Sequence, residues 1–173
     1  MNTLQRQFGS RFVEMVKASP RLVADVRRLR RRGVRIKTLR GSIDAWCIKD
    51  DKLVALGTGN SAQVGVMALA HESNHMLRER ISMKAVNRVS EAKWVREFME
   101  EETDCFLREA QTADDLQRAG FKLTKYARSW LRTMRRGGRA AVRKRVYRTR
   151  VIGTRLSYPE YVRLMYRENR TAA

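Results

Sequence analysis

The chain contains two histidines, His71 and His75, set four residues apart in ALAHESNHMLRER, with Glu72 directly after the first. On a helix of about 3.6 residues per turn, positions four apart share a face, so both rings can aim a nitrogen at one point. Converging neutral imidazoles suit a divalent cation such as zinc, which catalytic sites hold with three protein ligands, leaving one position for water. A carboxylate beside the first imidazole can accept a proton from that water, whose pKa the ion lowers. Two histidines on an apolar helix face are otherwise satisfied core groups. The placement of Glu72 favours the metal reading: His71 and His75 as ligands and Glu72 as the catalytic base.

These residues need a helix to hold them. Asn60 or Ser61 can cap one, and Val64, Met67, Ala68, His71 and His75 fall near one side, which predicts a helix over about 61–80. With no third histidine, the remaining ligand is expected to be a carboxylate, and REFMEEETDCFLREA supplies several. That segment belongs to a helix starting near Ser90, with Trp94, Val95, Phe98, Met99, Phe106 and Leu107 at helical spacing. Helical projection puts Glu102 between Phe98 and Phe106, where a buried carboxylate requires a partner. On spacing alone Glu100, Glu101 and Glu102 all remain candidates. Thr112 and Asp115 suggest a renewed cap, and Phe121 to Met134 a further apolar-periodic stretch broken by Gly137-Gly138.

HESNH matches the HExxH arrangement of zinc metallopeptidases. Followed some 25 residues later by Glu-x-Glu-x-Asp, it resembles the gluzincin metallopeptidases, over roughly residues 41 to 110. The resemblance implies zinc as cofactor, Glu100 as the third ligand and Asp104, one turn later, supporting a ligand; Thr103 stands where the family has a small alanine. It also implies hydrolysis of peptide bonds in a protein or peptide substrate. In zincins an extended substrate pairs with a strand edge beside the metal helix, and Ala45–Gly57 is placed to supply one. Tyr126, Tyr147, Tyr158 and Tyr161 are available as donors to an oxyanion. Small domains of this kind are similar to bacterial toxin and effector metallopeptidases, including those of type VI secretion, and to regulatory gluzincins that cut repressors. For a delivered toxin, the resemblance implies a cognate inhibitor, or immunity protein, in the producer.

The rest of the chain predicts an α+β fold, mainly helical, with a small sheet or hairpin beside the HExxH helix. A single domain over 1–173 is expected: N-terminal helices over 1–40, a zincin core over 41–110 and a basic helical part over 111–173. Leu4, Phe8, Phe12, Val13 and Val16 predict one helix, and Leu22, Val23, Val26 and Leu29, between Pro20 and Gly33, predict a second. VRIKTLRGSIDAWCIKDDKLVALGTGN reads as short strands around a Lys49–Lys52 turn. Ser157 and Glu160 have capping-box spacing ahead of a terminal helix. Cys47 and Cys105 are too few for a disulfide scaffold and read as reduced thiols.

Charge is segregated. Nine acids fall between Glu91 and Asp115, whereas seventeen Lys or Arg residues between Arg118 and Arg170 face only Glu160 and Glu168. The formal charge of +20 fits polyanion contact through Arg-rich surfaces such as RRLRRRGVR and RRGGRAAVRKRVYRTR. No run approaches the ~18 apolar residues of a membrane span. The start lacks the marks of a cleavable signal peptide, so synthesis in the cytoplasm is expected, with any export left to a dedicated secretion system. The competing functional class is a basic nucleic-acid-associated binding or regulatory protein whose metal site is structural or vestigial.

Overall fold

A computed structural model describes residues 2–42, 45–78 and 83–171. The first periodic stretch forms α1 (Asn2–Phe8) and α2 (Ser10–Ala18) instead of the single expected helix. Gly9 separates them with a φ of 83°, a left-handed conformation that costs glycine little. Ser19 then caps α3 (Pro20–Arg31), its hydroxyl accepting the Leu22 amide, and Pro20 sits in the first turn where its missing N–H is harmless.

Three strands follow: β1 (Arg35–Leu39), β2 (Ala45–Ile48) and β3 (Leu53–Gly57), in the order β1-β3-β2. The expected turn at Lys49–Lys52 joins β2 to β3 as an antiparallel hairpin, while β1 adds to the other side of β3 in parallel. The apolar run of β3 is therefore central and buried, and among the described residues β2 has one edge free of strand pairing. β2 and β3 both pack against α4 (Ala62–Leu77), whose N-cap is Ser61. The last expected positions of that helix, Glu79 and Arg80, lie outside the described residues.

A 3-10 turn over Met83–Arg88 leads to α5 (Glu91–Arg118), capped by Ser90 and continuous for 28 residues. The expected second cap at Thr112 and Asp115 does not form. Thr112 is buried, and Asp115 instead accepts from the Ser19 hydroxyl at 2.7 Å and from Arg21 at 2.5 Å, fastening α5 to the start of α3. Then α6 (Lys125–Val146) breaks at the glycine pair, where Gly138 takes φ 55° and ψ −145°, and resumes at a new angle. The capping box ahead of α7 (Tyr158–Thr171) is present, with the Ser157 amide and hydroxyl both donating to Glu160.

The result is an α+β architecture, mainly helical, with a small three-stranded sheet. One apolar cluster joins α2, α3, the sheet and the inner face of α4; another joins α5, α6 and α7 around Trp94, Met99, Phe106 and Trp130. The polar face of α4 meets α5 between them. No helix among the described residues is long and apolar enough to cross a membrane.

Candidate metal centre

α4 brings His71 and His75 together as the four-residue spacing requires, with their Nε2 atoms 3.1 Å apart. From α5, Glu102 reaches both: Oε1 lies 3.3 Å from His75 Nε2, and Oε2 lies 3.4 Å from His71 Nε2. Two tetrahedral ligands at zinc-ligand bond lengths of about 2.0–2.1 Å stand about 3.3 Å apart. The two nitrogens, and each nitrogen with its nearer Glu102 oxygen, stand close to that spacing.

The far side of each ring explains why these nitrogens are free to converge. His71 Nδ1 lies 2.7 Å from Glu109 Oε1, and His75 Nδ1 lies 2.7 Å from Glu101 Oε1. An ionised carboxylate only accepts, so each Nδ1 carries a proton, and Nε2 is the nitrogen of each ring left to bind an ion in exchange for a proton. Both Nε2 atoms face Glu102, whose Oε2 is buried with no hydrogen-bond partner. A buried carboxylate among two rings needs positive charge beside it, which protons on the rings supply when no ion is bound and a divalent cation between the three groups would supply in their place.

The orienting carboxylates are themselves fixed. Tyr126 donates its hydroxyl to Glu109 Oε2 at 2.7 Å, and Lys49, from the turn after β2, donates to Glu101 Oε1 at 3.0 Å. Cys105 Sγ, fully buried, accepts from Asn74 Nδ2 at 3.2 Å. It also lies with nitrogens of His71 and His75 in a group whose ligand atoms are all within 4.8 Å of one another. A thiolate there is a further candidate donor.

Without an ion, the electrostatics put negative charge on Glu102 and favour protons on the rings. Burial works against the Glu102 carboxylate, yet the His75 and His71 rings outweigh it and hold the group well below the usual carboxylate range. Burial likewise opposes a charged His71 or His75, and neighbouring Cys105 with the surrounding glutamates raises both above an ordinary imidazole. Glu72 behaves differently. Burial pushes its carboxyl up, and the two imidazoles offset this only in part. Glu72, both histidines and Glu102 all border a cavity of about 480 Å³, whose walls include β2, Phe98, Tyr158 and Tyr161.

Of the site residues expected from sequence, His71, Glu72 and His75 are brought together. Glu100 is not with them. Its carboxylate accepts from Arg139 Nη2 and Arg143 Nε, both at 2.6 Å, on the side of α5 that faces α6, and of the three candidate glutamates it is Glu102 that lies near both Nε2 atoms. Asp104 accepts from Arg139 Nε at 2.7 Å and pairs with Arg78, so it joins α4, α5 and α6, and support of the imidazoles falls to Glu101 and Glu109. Glu109 and Cys105 were missed, although Glu102, Cys105 and Glu109 stand at i, i+3 and i+7 on one helix face. Among the tyrosines, Tyr158 and Tyr161 border the cavity, Tyr126 holds Glu109, and Tyr147 packs under the Arg143 guanidinium.

Comparison with protein-family models, curated proteins and solved structures finds no significant match for this chain.

Proposed function

We propose that the protein is a zinc-dependent peptidase in which His71, His75 and Glu102 hold the ion. The observation that carries the reading is the convergence of two imidazole Nε2 atoms on a buried carboxylate, one oxygen of which lacks any hydrogen-bond partner. A zinc ion held by these residues would supply a water of lowered pKa and a Lewis acid for the substrate carbonyl.

The chain's own residues supply the rest. Glu72 borders the same cavity, and its burial-raised pKa makes it a better base for taking the proton of the attacking water and passing it to the departing amine. β2 forms part of the cavity wall, and its edge, unpaired among the described residues, can take an extended peptide as an added strand beside the imidazoles. Tyr158 lies inside the cavity wall, where its hydroxyl can donate to the oxygen that becomes negative. The resemblance of the HExxH segment to bacterial effector peptidases supports a protein substrate and, in a producing cell, a cognate inhibitor.

Glu72→Gln tests this directly. The variant is expected to bind zinc one-to-one, as the wild type does, while losing cleavage by about 10²–10⁴-fold, scored as new peptide termini in a proteome digest. A wild type that purifies and reconstitutes without zinc, or a variant that cleaves undiminished, refutes the assignment. Proximity of Cys105 to both rings favours a second reading, a closed structural site with four protein ligands. Cobalt substitution separates the two: a thiolate ligand adds an intense near-ultraviolet charge-transfer band that Cys105→Ser removes, and an open site shows none.

A further inference from the structure

The net charge of +20 understates how cationic the surface is, because Asp25, Glu72, Glu101, Glu102, Asp104, Glu109 and Asp114 are buried. Several of the remaining positive charges are already engaged. On α6, Arg139 and Arg143 hold Glu100, Arg135 pairs with Asp114, and Arg145 lies 3.9 Å over the Trp130 ring. The segment from α3 into β1 is different. Between Arg27 and Arg40 there are eight Lys or Arg residues and no acid, and every one of the eight is exposed. Among the described residues none of them pairs with a carboxylate; Arg32 and Arg35 reach only the backbone carbonyls of Leu77 and Asp51. Seven of the eight are arginine, whose planar fork matches phosphate oxygens in pairs.

We infer that the outer face of α3, continued by β1, docks on the phosphate backbone of B-form DNA. Ala24, Arg27, Arg28 and Arg31 share the solvent face of α3, opposite the buried Leu22, Asp25, Val26 and Leu29. The helix is about 18 Å long and about 10–12 Å across, dimensions that fit the B-DNA major groove, about 12 Å wide, with guanidinia reaching the flanking phosphate rows. The deep, narrow major groove of duplex RNA does not admit it. A membrane surface fits less well, since none of the exposed large apolar residues, Trp46, Ile48, Tyr126, Ile152 and Leu164, lies on this segment to anchor it in lipid. The absence of aromatics from Arg27 to Arg40 also argues against stacking on single-stranded bases. β1 and β2 are opposite edges of the sheet, so the β1 end of the docking face lies about 9–10 Å across the strands from β2.

The full chain is titrated into a fluorescein-labelled 20-base-pair DNA duplex of mixed sequence, with anisotropy read from 50 to 200 mM KCl. Five or so phosphate contacts give a slope of log K against log salt of about −4 to −5. Combined Arg27→Glu, Arg28→Glu and Arg31→Glu are expected to weaken binding more than tenfold at 150 mM salt and to flatten the slope by about 3. A matched triple on α6, Arg128→Glu, Arg132→Glu and Arg136→Glu, changes net charge equally and is expected to cost less than threefold. Circular dichroism checks that both triples fold, and the Gln versions replace either one that does not. Equal loss from both triples, no binding by wild type at 150 mM salt, equal affinity for an RNA duplex, or stronger partition onto phosphatidylserine vesicles than onto DNA would each overturn the proposal. The readout involves neither zinc nor cleavage, so its outcome is independent of the peptidase assignment.

Discussion

Glu100, Glu101 and Glu102 are consecutive, and each helical residue turns about 100° from the last. One stretch of α5 therefore sends three carboxylates in three directions: to Arg139 and Arg143, to His75 Nδ1 and Lys49, and to the two Nε2 atoms. Their alanine variants should differ accordingly. Glu102→Ala is expected to abolish one-to-one zinc binding, Glu101→Ala to weaken it about 10–100-fold by freeing the His75 ring, and Glu100→Ala to leave it unchanged. Competition with a chromophoric chelator ranks all three, and equal retention of zinc by Glu102→Ala and Glu100→Ala would remove Glu102 from the site. The two histidines and Glu72 were legible in the sequence because one helix sets their geometry. The third position was not, because it turns on Arg139 and Arg143, which stand 39 and 43 residues after Glu100 and beyond a glycine break. Periodicity did mark Glu102 as lying in the apolar stripe; the E-x-E-x-D pattern pointed to Glu100, about 200° round the helix from it.

At the scale of elements, ion pairs matter in proportion to their burial. Arg108 sets Nε and Nη2 on Asp25 Oδ2 at 2.8 and 2.6 Å, joining α5 to α3, and Asp25 is only 4% exposed. Arg11 and Glu14, at 3.0 Å, form a pair with both side chains more than half exposed. Removing one partner of a mostly buried pair strands the other, so Asp25→Ala is expected to cost about 2–4 kcal/mol, whereas Glu14→Ala costs under ~0.5 kcal/mol. Urea unfolding with a common m-value measures the contrast, and similar midpoints for the two variants would contradict it. The same distinction explains which elements could be foreseen. Ser19, Ser61, Ser90 and Ser157 act within four residues of themselves, so their caps are local and readable. Asp115 looks like a cap in sequence but serves Ser19 and Arg21 on another helix, a contact that no local pattern encodes. Gly9 was passed over for the converse reason: a lone glycine is tolerated inside a helix, and only its φ of 83° shows that the chain turns there.

Taken whole, the molecule has a cationic exterior around an acidic seam. Of its 18 Asp and Glu, four surround two imidazoles between α4 and α5: Glu72, Glu101, Glu102 and Glu109. Lys49 and Tyr126 contribute one hydrogen bond each to that group. Without an ion, the carboxylates must be balanced by protons on the rings, and the two Nε2 atoms and Glu102 Oε2 are left facing one another. A divalent cation that binds only the folded chain therefore adds stability by mass action, about 2.7 kcal/mol when free zinc is a hundred times its dissociation constant. For a chain of this length each kcal/mol moves the melting temperature by roughly 2–4 °C. Stripping zinc with a chelator is thus expected to lower Tm by about 5–10 °C, and added zinc to restore it. Magnesium should not, since it prefers a shell of oxygen ligands and this site offers two nitrogens. In Glu102→Ala the gap between stripped and zinc-loaded protein should close. Calorimetry on both proteins, with and without each ion, decides the matter: a wild-type Tm indifferent to zinc would mean that protons alone satisfy the seam.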